Sequence, residues 1–144
     1  MLRILDNITS GNGREGDIEL LEELSEFMQL SALCALGATA PNPVLSTIAH
    51  FRDEYEAHIK ERRCPAGVCG ALIAYRIDAD ACIGCGICAK NCPVDAIVEI
   101  NDGKKSVFAI EQENCIKCGN CIDACPPKVK AVRKVSSSIL LENV

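Results

Sequence analysis

The chain has 144 residues, is 49% hydrophobic but only 3% aromatic, contains no Trp, and carries a formal net charge of −5. An acidic chain without Lys/Arg clusters interleaved with aromatics is a poor ligand for nucleic acid, and no run approaches the ~18 apolar residues of a membrane span. Its core must be aliphatic, and its eleven cysteines are the outstanding compositional feature.

Leu2, Leu5 and Ile8 recur three apart, so residues 1–10 are expected to form a helix with Gly11 as its C-terminal stop. Asp17 is placed as the cap of a second helix. Its apolar residues Ile18, Leu21, Leu24 and Met28 share a face, while Glu19, Glu22, Glu23 and Glu26 point away. Residues 31–37 read as a short helix or loop. Ala40-Pro41-Asn42-Pro43 is expected to be extended or turned, because residues before proline avoid the helical region. Pro43 then suits the first turn of a longer helix that reaches about residue 60, striped by Val44, Leu45, Ile48, Phe51, Tyr55 and Ile59. Gly11, Gly13 and Gly16 match the spacing of a dinucleotide fingerprint, but a helix precedes them and Asp17 and Glu19 would face the phosphates, so nucleotide binding is not expected there. His50 reads as a packed or surface residue. No nucleophile–base pair or carboxylate cleft is visible, so no catalytic residue is assigned.

Behind that helix, His58, Cys64 and Cys69 have the spacing of a structural zinc site, with Pro65 and Gly67 supplying the turn between the thiols. A fourth ligand would be a residue outside the chain, water or Cys34. The alternative is two reduced, packed cysteines in a linker, or a strand entering residues 71–75.

From Tyr75 the pattern changes to short strands and tight loops with an offset of 33 residues that maps Cys82 on Cys115 and Cys92 on Cys125. The flanks repeat as well: Arg76-Ile77-Asp78 resembles Ala109-Ile110-Glu111. Each half reads as strand, loop, short helix, strand, and Asn101-Asp102-Gly103-Lys104 is a turn signal for a hairpin between the halves, with Lys104 and Lys105 at its tip. Each loop carries Cys-x2-Cys-x2-Cys-x3-Cys-Pro, as Cys82, Cys85, Cys88, Cys92 and Pro93, and as Cys115, Cys118, Cys121, Cys125 and Pro126. This is the bacterial ferredoxin signature for two [4Fe–4S] clusters, in which the last cysteine of each run ligates the other run's cluster. The assignment is therefore Cys82, Cys85, Cys88 and Cys125 to one cluster, and Cys115, Cys118, Cys121 and Cys92 to the other. Zinc knuckles take paired rather than triple Cys-x2 spacings. The first 17 residues lack a basic segment followed by a long apolar one, so a reducing cytoplasm, where disulfides do not persist, is the expected location. So small a unit is expected to depend on its clusters to fold.

Ser31 to Pro41 with Cys34 at its centre, followed by His50-Phe51-Arg52-Asp53-Glu54-Tyr55-Glu56, resembles the C-terminal region of the NADH-oxidising flavoprotein subunit of respiratory complex I and of NAD-linked, often electron-bifurcating, hydrogenases. The resemblance covers residues 1 to about 60. It implies that Cys34 is the fourth ligand of a third [4Fe–4S] cluster whose other ligands lie upstream, outside this sequence, together with the FMN and NAD sites. The residues alone leave Cys34 open between that role and a buried apolar thiol between Leu33 and Leu36. The extension after residue 75 is similar to the hydrogenase-type versions of this flavoprotein.

The expected fold is α+β: a helical bundle fragment over residues 1–60, a linker with the metal knuckle over 61–75, a pseudosymmetric ferredoxin-like two-cluster domain over 76–135, and a tail over 136–144. The expected function is a cytoplasmic electron relay between a flavin/NADH domain and ferredoxin or a hydrogenase subunit, at potentials of the order of −400 mV. Two alternatives are a free-standing diffusible ferredoxin-like carrier and a zinc-braced structural adaptor.

Overall fold

The computed structural model describes residues 1–101 and 106–138. The expected hairpin turn and its lysine tip, and most of the tail, lie outside the described residues. The chain divides into two compact units: residues 1–72 with 136–138, and Ile73–Val135.

The first unit is helical: α1 (Leu2–Thr9), α2 (Asp17–Ser31), α3 (Ala35–Thr39) and α4 (Asn42–Lys60). Its core is built from the inward faces of α1, α2 and α4, with Ile8, Ile18, Leu21 and Ile48 buried and Ile4, Leu5, Val44, Tyr55 and Ile59 packed around them. Gly13 lies where a Cβ would stand 3.0 Å from Ile59 and 3.1 Å from Ile8, so the loop after α1 closes tightly over the core.

Four local expectations are corrected. Gly16, not Asp17, occupies the cap position of α2, and the Asp17 carboxylate instead accepts the Arg14 amide at 2.8 Å. A backbone in the left-handed region at Gly16 turns the chain into the helix, so the cap is conformational rather than a side-chain acceptor. Ala40 is helical despite preceding Pro41, and Asn42 already belongs to α4 despite preceding Pro43; helix packing on both sides overrides the local steric preference. Two acids of α2 do not point away: Arg52 of α4 donates to Glu22 at 2.8 Å and Glu19 at 2.5 Å, and lies 3.7 Å from Glu56. The α4 stripe also breaks at Phe51, whose φ of −135° and ψ of 33° kink the helix and leave its ring exposed.

The second unit runs β1 (Ile73–Ile77), α5 (Ile87–Lys90), β2 (Ile97–Asn101), β3 (Ser106–Ile110), α6 (Asn120–Ala124) and β4 (Val132–Ser136). β2 and β3 pair antiparallel, with Ile97 opposite Ile110 and Ile100 opposite Val107, while β1 pairs with β4. Ile73, Ala74, Tyr75 and Ile77 are buried, so β1 starts in residues that the sequence pattern assigns to the linker. The core here is thin, and three of its nine buried members are cysteines. Among the described residues, no helix is long and apolar enough to cross a membrane.

Candidate iron–sulfur and metal-binding sites

The two halves of the second unit present their cysteines through matching turns. The Cys82 amide donates to the Asp78 carbonyl at 2.9 Å and the Cys115 amide to the Glu111 carbonyl at 3.1 Å, which launches each loop from the end of a strand. A short helix follows, entered through a left-handed glycine, Gly86 before α5 and Gly119 before α6. Each helix ends in the same way, with Cys92 N–H on the Ala89 carbonyl and Cys125 N–H on the Ile122 carbonyl. The trailing Pro93 and Pro126 cannot continue a helix, so the last cysteine of each run is carried away from its own loop.

Where it is carried defines the site. One cavity, of about 20 Å³, is lined by Cys82, Cys85, Cys88 and Cys125, and the other, also of about 20 Å³, by Cys92, Cys115, Cys118 and Cys121. The remaining walls are almost wholly aliphatic and aromatic. Cys82, Cys88 and Cys121 are buried, Cys92, Cys115 and Cys125 half-buried, and Cys85 and Cys118 exposed. Burial raises the Cys88 and Cys121 thiols, the latter to about 11, and neighbouring cysteines of the same run add to the effect. The buried Cys88 and Cys121 thiols are costly to ionise without a cation beside them. Iron removes that cost, and a cubane places each thiolate on a different iron, so its sulfurs stand apart. Among the described residues none of these eight cysteines belongs to a group of three donors within 4.8 Å, as ligands of a single ion would. The donor set and spacing thus fit clusters rather than zinc. Gly84, at φ +71°, lies against the Ser106 carbonyl of β3, and a Cβ there would collide with it. This close approach of loop to strand has no signature in the cysteine spacing.

In the first unit, His58, Cys64 and Cys69 bring their ligand atoms within 4.8 Å of one another. α4 supplies His58, buried on the helix's last turn, and a turn closed by the Gly67 amide on the Cys64 carbonyl returns the chain so that Cys69 reaches it. His58 Nδ1 lies 2.7 Å from the Glu54 carbonyl, which can only accept, so this nitrogen carries the proton. Nε2 is left with its lone pair, 3.3 Å from Cys69 Sγ, the tautomer a metal requires. Burial pushes Cys64 upward, but the Cys69 and Val68 amides and the Cys69 side chain outweigh it and bring the thiol down to about 7. Cys69 goes the other way, to about 11, through burial and the neighbouring Cys64. The first thiol proton leaves readily and the second only against that charge, a balance that a divalent cation would reverse.

Cys34 is exposed at the start of α3, and Leu33 and Leu36 beside it are 105% and 82% exposed, so the alternative of a buried apolar thiol is not what the fold presents. Cys34 does not join the His58 group. His50 is exposed and edge-on to Phe51 at 6.5 Å. Gly11 to Gly16 forms the loop between α1 and α2, without the preceding strand that a dinucleotide fingerprint needs.

Comparison with known proteins divides the chain in the same places. Residues 1–58 match the family described as NADH-ubiquinone oxidoreductase-F iron-sulfur binding region, and residues 74–136 the family described as 4Fe-4S dicluster domain. The HndC subunit of the NADP-reducing hydrogenase of Solidesulfovibrio fructosivorans is 50% identical over 97 residues, covering 67% of this chain and 20% of the relative. The NADH-quinone oxidoreductase F subunit of Mycobacterium tuberculosis is 41% identical over 78 residues, 54% of this chain and 18% of the relative. The flavoprotein 1 of mitochondrial NADH dehydrogenase from Dictyostelium discoideum is 41% identical over 58 residues, 40% of this chain and 12% of the relative. The chain spans a fifth or less of the length of these relatives. Residues 1–58 are thus similar to the iron–sulfur-binding region of the NADH-ubiquinone oxidoreductase F family, and residues 74–136 to a 4Fe-4S dicluster domain.

Proposed function

We propose that the chain is the electron-relay portion of an NAD(H)-linked oxidoreductase of the hydrogenase or NADH dehydrogenase type, carrying single electrons between a flavin-containing domain and ferredoxin or a partner subunit in the cytoplasm. The observation that supports this most strongly is the sorting of eight cysteines into two separate cavities, each drawing three from one run and one from the other. In this reading the second unit is a pseudo-two-fold ferredoxin-like domain. Cys82, Cys85, Cys88 and Cys125 hold one [4Fe–4S] cluster, and Cys92, Cys115, Cys118 and Cys121 the other. The clusters, when bound, supply one-electron oxidation and reduction. The chain's own residues hold the iron, keep water from three of the thiolates, and direct loop amides toward sulfur, as Ala96 N–H does to Cys92 Sγ at 3.3 Å.

Cys34 serves as the fourth ligand of a third cluster whose other ligands, like the FMN and NAD sites, belong to polypeptide outside this sequence; its exposure and its exposed leucine neighbours are what a ligand completed from elsewhere requires. His58, Cys64 and Cys69 hold zinc that ties the end of α4 to the segment that follows. The names of the relatives, components of a hydrogenase and of NADH-quinone oxidoreductases, favour other subunits of a flavin-containing redox complex as partners.

The test is anaerobic purification with iron, acid-labile sulfide and zinc measured per chain. About eight iron, eight sulfide and one zinc are expected. A stably folded protein that holds zinc but neither iron nor sulfide would overturn the relay.

A further inference from the structure

Tyr75 and Phe108 occupy equivalent places in the 33-residue repeat, one on β1 and the other on β3. Each walls the cavity built on the other half's loop: Tyr75 lines the cavity of Cys92, Cys115, Cys118 and Cys121, and Phe108 that of Cys82, Cys85, Cys88 and Cys125. Gly86 and Gly119, themselves equivalent, receive the two ring tips. A Cβ on Gly86 would stand 3.3 Å from Phe108 Cζ, and one on Gly119 would stand 3.3 Å from the Tyr75 hydroxyl oxygen. The two sites are thus near copies in which a buried phenol replaces a phenyl ring at the point where ring and cluster loop meet.

A single hydroxyl matters because the walls around it are otherwise poor in dipoles. Besides the cysteines, the Phe108 cavity is lined by carbon side chains and Gly86, while the Tyr75 cavity adds the exposed Asn120. Reduction adds one negative charge to a cluster in a low-dielectric space, and an O–H dipole directed at that charge stabilises the reduced form. A phenol keeps its proton at neutral pH, so the group is available as a donor.

We propose that Tyr75 is a positioning residue whose hydroxyl makes the two clusters inequivalent, setting the one held by Cys92, Cys115, Cys118 and Cys121 at the higher potential. The proposal rests on the relay reading. In the relay, the cluster beside Tyr75 is then the one that holds the electron longer.

The experiment is redox titration of the full chain with both clusters in place, followed by electron paramagnetic resonance, on the unaltered protein and on Tyr75→Phe and Phe108→Tyr. Two separated potentials are expected. Tyr75→Phe should lower the upper one and narrow the gap at unchanged iron content, and Phe108→Tyr should raise the lower one. Proton double resonance on the reduced protein should lose one exchangeable coupling in Tyr75→Phe. A single shared potential in the unaltered protein, or a Tyr75→Phe variant with both clusters bound and both potentials unmoved, would overturn the inference and leave the relay intact. Absence of iron and sulfide from the unaltered chain would instead remove the relay itself.

Discussion

Cys125, the last cysteine of the second run, lines the same cavity as Cys82, the first cysteine of the first run. Under the proposed ligand assignment the two loops interlock, and a defect in one run should appear at the other run's cluster. Cys125→Ser is expected to damage the site of Cys82, Cys85 and Cys88 while the site containing Cys118 keeps its iron, so that iron per chain falls from about eight toward about four. Mössbauer spectroscopy with iron analysis checks it. Loss of the cluster on the Cys115 run, with the other retained, would show that the runs are not crossed.

The second unit should not survive without its iron. Three of its nine buried core residues are cysteines facing the cavities, so removing the clusters exposes polar thiols in place of a filled interior. Chelation under denaturant-free conditions is expected to abolish the strand signal in circular dichroism. A metal-free chain with near-native spectra would contradict this.

Gly84 and Gly16 separate steric need from conformational need. Both have positive φ, but a Cβ at Gly84 meets the Ser106 carbonyl whereas one at Gly16 has nothing within 4 Å. Gly16→Ala should cost about 1 kcal/mol through backbone strain alone. Gly84→Ala should cost more and lower iron occupancy at the Cys82 site, because the loop must shift away from β3. Equal effects of the two substitutions on thermal stability and iron content would refute the distinction.

His58→Ala and Cys64→Ser should each abolish zinc binding without changing iron or sulfide content, since this trio shares no residue with the cluster cavities. X-ray absorption at the zinc edge, combined with iron analysis, reads both metals in one sample. Zinc at full occupancy in Cys64→Ser protein would remove this site.

In the helical unit, Leu21 is fully buried, whereas Arg52 and Glu22 are partly exposed and Glu19 exposed. Leu21→Ala is expected to destabilise the unit by about 2–5 kcal/mol and Arg52→Ala by about 1 kcal/mol or less. Thermal unfolding of the two variants gives the comparison, and a larger loss from Arg52→Ala would mean that the ion network matters more than the core.

The cysteine runs, the 33-residue offset and the apolar stripes of α1, α2 and α4 were legible in the sequence, because each depends on spacing along one local stretch of backbone. A ligand pattern is read at the same scale as a turn or a helical face, so the trio of His58, Cys64 and Cys69 was visible as a spacing too. What only the tertiary structure decided depends on groups far apart in the chain. Spacing alone did not reveal the packing of Gly84 against Ser106, the pairing of Arg52 with Glu19 and Glu22, or the kink that exposes Phe51. Nor did local pattern reveal that Tyr75 and Phe108 exchange places between the two halves, although their positions in the repeat hold the clue. Periodicity reports which face of an element is apolar; which surface covers that face is set by the closure of the whole chain, where packing outweighs the local preferences of residues such as Ala40 and Asn42.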